Sequence, residues 1–148
     1  MTCTYEYIDN WLKINLSPER YEHSLGTAEC ARELAERFGE NPEKAYFTGL
    51  IHDCAKCLPK DETLHIIKTF LNLEDGELCS PKTHHAPVGA YIAKKEFKID
   101  DEEILSAIRW HTIGKVNMTP FEKIIFLADK IETRTRPCEI CLLYTSDA

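Results

Sequence analysis

The chain has 148 residues, 43% hydrophobic and 29% charged, which fits one soluble globular domain with a substantial core. A formal net charge of −7 argues against nucleic-acid binding through a basic surface. No apolar run reaches the roughly 18 residues of a membrane span, and Met1 to Glu6 lacks the features of a signal peptide.

Tyr5 to Leu16 carries apolar residues at helical spacing and predicts an amphipathic helix. Ser17-Pro18 starts a second helix, with Ser as N-cap and Pro in the first turn, and Gly39 stops it after Phe38. His23 lies in its second turn. Asn41-Pro42 repeats the start signal. The helix that follows passes through Ala45, Phe47, Leu50 and Ile51 to His52-Asp53 in its last turns, because Pro59 forbids continuation. Asp61 is expected to cap a helix over Glu62 to Leu73, with Leu64, Ile67, Phe70 and Leu71 inward and His65 structural or exposed. Asp75-Gly76 reads as a turn.

Ser80 to His85 reads as a loop delivering His84 and His85 to a helix that tolerates Pro87 in its first turn. Asp100-Asp101 opens another helix, with Ile104, Leu105, Ile108 and Trp110 inward, which ends at His111-Thr112 before Gly114. Thr119-Pro120 starts the last one, running through Ile124, Ile125 and Ala128 to Asp129 and Glu132. There is no alternating strand pattern, so the expectation is an all-α bundle of about six or seven helices.

A histidine beside an aspartate, taken alone, is a hydrogen-bonded polar pair at a helix end. The set His23, His52-Asp53, His85, His111 and Asp129 is different, since each member lies at or near a helix end and helices of a bundle can bring such ligands together in the core. Seven scattered cysteines without an export signal read as reduced thiols of a cytoplasmic protein. Cys54-x-x-Cys57 and Cys138-x-x-Cys141 imitate halves of a zinc site, but Cys54 sits inside the His-Asp segment.

Five stretches in this order resemble the HD-domain superfamily of metal-dependent phosphohydrolases, and within it the YqeK family. They are Arg20 to Gly26, Leu50 to Lys56, His85 to Tyr91, Ile108 to Lys115 and Glu122 to Glu132. The resemblance spans residues 1–140 and implies a single HD domain. It implies a symmetrical bis(5′-nucleosyl)-tetraphosphatase, which cuts diadenosine tetraphosphate into two ADP. It implies iron, in a two-metal site that Mn, Ni, Zn or Mg could also fill. Carried over, His23, His52, Asp53 and Asp129 are the metal ligands. Asp53, Lys56, His85 and His111 act in catalysis, and Arg20, Ser24, Lys56, His85, His111, Thr112 and Arg134 line the nucleotide.

The family pattern departs after Glu132, where Thr133 replaces a proline and Thr135 an arginine, flanked by Arg134 and Arg136. The implied partner is a small-molecule nucleotide, with no nucleic acid or membrane, and a homodimer stays open. So do another HD-type nucleotide phosphohydrolase or phosphodiesterase and a non-catalytic metal- or nucleotide-binding module. Residues 141–148 resemble the translation of a sequencing adaptor, so the domain is expected to be truncated at its C-terminus. That truncation would expose an apolar face near the last helix, at Phe121, Ile125 or Phe126.

Overall fold

A computed structural model describes residues 2–135. Among them are eight α-helices and no strand: α1 Tyr5–Asn15, α2 Pro18–Phe38, α3 Pro42–Ile51, α4 Lys60–Phe70, α5 Asp75–Leu78, α6 His85–Lys95, α7 Glu102–Arg109 and α8 Pro120–Ile131. The expected tail, with Arg136, Cys138 and Cys141, lies outside the described residues.

Local chemistry accounts for most helix ends. Ser17 accepts from the Arg20 N–H, Asn41 from those of Glu43 and Lys44, and Asp101 from those of Glu103 and Ile104. Thr119 and Glu122 form a reciprocal capping box. Gly39, at φ 75°, takes the left-handed conformation that ends α2.

Packing then sets the frame. α2 lies against α3 and α8, α7 against α6 and α8, and α4 against α6. Gly49 permits the approach of α3 to α2, since a Cβ there would stand 2.8 Å from the Ala28 Cα. One core gathers Ile8, Leu12, Leu50, Ile51, Val88, Phe97 and Ile108. A second gathers Ala31, Leu34, Ala45, Phe121, Ile125 and Ala128.

Several expectations are corrected. α4 starts at Lys60 and ends at Phe70, and Asp61 lies inside its first turn instead of capping it. Phe70 is exposed and stacks on Tyr91 at 5.1 Å. Asp75-Gly76 opens a single-turn helix, held by a capping box between Glu74 and Glu77. Phe121 and Ile125 are buried, because α2, α3 and α7 already cover that face of α8. The exposed apolar residues nearby are Leu127 of α8 and Phe38 of α2.

Candidate metal centre

The ends of α3, α6, α7 and α8 meet the second turn of α2, and all six expected ligand residues converge there. His52 caps the C-terminus of α3, and Asp53 begins a run of tight turns leading to Pro59. The helix therefore ends at Ile51, before the His52-Asp53 pair that the sequence pattern placed in its last turns. His85 opens α6, His111 follows α7, and Asp129 sits in the last turn of α8. His23, His52, Asp53 and His111 are each at most 1% exposed.

Two overlapping triples form. Ligand atoms of His23, His52 and Asp129 all lie within 4.8 Å of one another, as do those of His52, Asp53 and His111. The expected quartet is thus split across two groups that share His52. Asp129 Oδ1 lies 2.7 Å from His23 Nε2 and 3.0 Å from His52 Nε2. His85 Nε2 stands 3.3 Å from Asp53 Oδ1 and 3.3 Å from His111 Nε2.

Backbone carbonyls orient two of the rings. His52 Nδ1 donates to Gly49 O at 2.6 Å, and His111 Nδ1 to Ile108 O at 2.7 Å. A carbonyl only accepts, so in the neutral ring each Nδ1 holds the hydrogen and each Nε2 turns a lone pair inward. Burial pushes the His111 pKa down to about 3 and that of His85 to about 4, so both rings are neutral at pH 7. Burial works against charge on Asp129 too, yet the His23 and His52 rings beside it hold its carboxyl far below the usual range.

Lone pairs and carboxylate oxygens therefore converge with too few hydrogens between them. Asp53 shows this most clearly. Its Oδ1 is buried and makes no hydrogen bond, while its Oδ2 accepts from Arg20, with Nε at 3.0 Å. An orphaned buried carboxylate oxygen facing imidazole nitrogens is what a cation would satisfy. The donors are nitrogen and oxygen, which suits Fe, Mn, Ni or Zn. The nearby Cys54 thiol turns to Gly89 O instead, and burial raises its pKa.

The nucleotide-lining candidates are scattered. Arg20 is engaged with Asp53. Lys56 is exposed and lines a cleft beside His85. Thr112 is half-buried in the turn after His111. Ser24 is fully buried, with its Oγ lacking a hydrogen-bond partner. Arg134 is drawn away from the cluster to Glu22 and Glu29 on α2. His65 is exposed on α4, outside both triples.

Sequence reasoning missed two residues. Glu132 is buried, with Oε2 2.8 Å from His23 Nδ1, so it orients that ring from behind. Burial opposes its charge, but His23 and Thr135 draw its pKa down to about 2. The available signal was its spacing, one helical turn after Asp129. Gly26 is the second, since a Cβ there would stand 2.2 Å from Glu132 Oε1.

The family model described as "HD domain" matches residues 20–134, a span that contains every one of these candidate ligands. The chain belongs to the HD domain family. This HD domain is 45% identical over 124 residues to the Bacillus subtilis (strain 168) protein named "Bis(5'-nucleosyl)-tetraphosphatase, symmetrical", covering 82% of this chain and 65% of that one. It is 39% identical over 126 residues to the Staphylococcus aureus (strain NCTC 8325 / PS 47) protein of the same name, covering 84% and 65%. The HD domain described here thus spans about two thirds of the length of these relatives. A crystal structure from Clostridium acetobutylicum, described as a "predicted HD superfamily hydrolase involved in NAD metabolism", superposes with a TM-score of 0.89 at 38% identity, covering 99% of this chain and 78% of that one.

Proposed function

We propose that this protein is a metal-dependent hydrolase that cleaves diadenosine tetraphosphate symmetrically into two ADP. The observation that carries the reading is the buried cluster itself: two triples sharing His52 around the orphaned Oδ1 of Asp53. The names of the relatives at 39–45% identity support the substrate.

His23, His52 and Asp129 would hold one metal, and Asp53, His111 and His85 would line the neighbouring position, since the one free lone pair of His52, on Nε2, serves a single ion. Iron is the proposed metal. A bound divalent metal supplies Lewis acidity toward phosphoryl oxygens and makes water acidic enough to attack near neutral pH. The chain's own residues do the rest. Glu132, Gly49 O and Ile108 O fix the imidazole rings, so the ligands need not reorganise. Arg20 neutralises one side of Asp53 and is placed to exchange that contact for a phosphate oxygen. His85 and Lys56 stand where the cluster opens to solvent and can meet the leaving phosphate. Cys3, Cys54, Cys57 and Cys79 are free thiols, which fits the proposed cytoplasmic location.

The test is metal analysis of protein purified without oxygen, followed by incubation with diadenosine tetraphosphate and identification of products. ADP as sole product, with iron bound, is expected. ATP with AMP, or no turnover by metal-loaded protein, overturns the reading.

A further inference from the structure

Beside the metal cluster lies a cleft of about 220 Å³, between the turns after α3, the first turn of α4 and the 3₁₀ turn Pro81–Thr83. Lys56, Lys60 and Lys82 line it, together with His84 and His85. Among the described residues, none of these three lysines makes an ion pair. Lys13, Lys44, Lys115 and Lys130, by contrast, all face carboxylates. Asp61 and Glu62, the acids that follow Lys60, line a different groove with His65.

Three further observations point the same way. Lys60 opens α4, where a cation opposes the helix dipole, and the end has no side-chain cap. His84 Nε2 is buried without a hydrogen-bond partner. Leu58, Leu64 and Pro81 form apolar walls, which strengthen the field of the ammonium groups. Three cations gathered without a counter-charge repel one another unless an anion joins them.

We propose that this cleft binds the polyphosphate chain of the substrate, on the side of the cluster marked by His85. The inference rests on the phosphohydrolase reading above and adds Lys60, Lys82 and His84 to it. The size selects the phosphates over a nucleoside, because 220 Å³ falls below the roughly 300–1,000 Å³ of pockets that enclose drug-sized ligands. The chemistry agrees, since lysines meet phosphates as point charges, without demanding one fixed geometry. Such a cleft would favour a chain of several phosphates over a single one.

The experiment is calorimetric titration of the full-length chain with inorganic tripolyphosphate, without added metal, so that chelation by the titrant does not contribute. The variant is Lys60→Gln/Lys82→Gln. The control is Lys95→Gln/Lys123→Gln, which removes the same charge from exposed sites on α6 and α8. Unfolding temperatures of all three proteins establish that they fold. The expected result is binding by the wild-type chain and the control, weakened about tenfold or more in the cleft variant. Equal affinity in both double variants, equal loss in both, or no binding by wild type overturns the proposal. The readout does not depend on turnover. Retained tripolyphosphate binding in a protein that fails to hydrolyse diadenosine tetraphosphate sinks the hydrolase reading while supporting the anion cleft. Hydrolysis with unaltered tripolyphosphate binding in the cleft variant does the reverse.

Discussion

Asp53 and Glu77 are both 1% exposed, yet they are buried in opposite ways. Glu77 is closed. Arg109 donates to it through Nε at 2.6 Å and Nη2 at 2.8 Å, and the Glu74 N–H adds a third bond at 2.8 Å. Glu122 follows the same pattern, with Ser106, Lys115 and the Thr119 N–H around it. Asp53 has one oxygen on Arg20 and the other bare, facing histidine lone pairs. Burial alone does not separate a structural carboxylate from a working one. What separates them is whether the protein completes the hydrogen bonding or leaves it for something else to complete.

The largest expected effect comes from closing the open site. Asp53→Asn is expected to lower turnover by about 10³-fold or more and to cut metal content sharply. The metal-free unfolding temperature should hold or rise, because an under-compensated charge is gone. Full metal content in this variant would show that Asp53 is no ligand.

Next in size is the support behind His23. Glu132→Gln is expected to weaken metal affinity about 10–100-fold, as removal of a carboxylate behind a histidine ligand does. Gly26→Ala should act in the same direction by displacing Glu132, since its Cβ would collide with Oε1. A metal titration checks both, and unchanged affinity in both would make Glu132 purely structural.

The closed site should respond the other way round. Arg109→Ala strands Glu77 and is expected to cost about 1–2 kcal/mol, discounted because the arginine side chain is 34% exposed. Metal content should stay at the wild-type level. Urea unfolding with metal analysis on the same preparation tests this, and loss of metal without loss of stability would erase the contrast.

A smaller effect lies in the acid range. Burial raises the pKa of Glu77, but Arg109 outweighs it and holds the carboxyl below its ordinary value of 4.5. A depressed carboxyl contributes stability above its unfolded-state pKa and loses it as the pH falls through the folded value. Metal-free wild-type protein should therefore lose stability more steeply below about pH 4.5 than Arg109→Ala does. Parallel pH–stability curves would remove Glu77 from the account. The smallest effect expected is none: His65→Ala, on the exposed face of α4, should leave metal content unchanged.

How much of this was legible in the chain divides by distance. The starts of α2, α3 and α8 were readable because a capping side chain and a proline act within three residues of each other. The candidate cluster was readable as a set because its order along the chain follows the five motifs. The short helix α5 was missed because Asp75-Gly76 is a turn signal by itself, and Glu77 prefers a helix only once its capping box and Arg109 are in place. Phe70 was expected inward on periodicity, but α4 touches the rest of the molecule mainly through α6, so part of its apolar face remains in water.

The sequence by itself determined the helical class, the starts of α2, α3 and α8, and the family. All of these rest on interactions between near neighbours or on residue order. Only the tertiary structure decided that the ligands split into two triples sharing His52, that Glu132 braces His23 across 109 positions, and that Arg134 turns to Glu22 and Glu29. It also decided that Phe121 and Ile125 are covered. The reason is that hydrogen bonds and packing act over a few ångströms of space. Separation along the chain does not predict which side chains come that close.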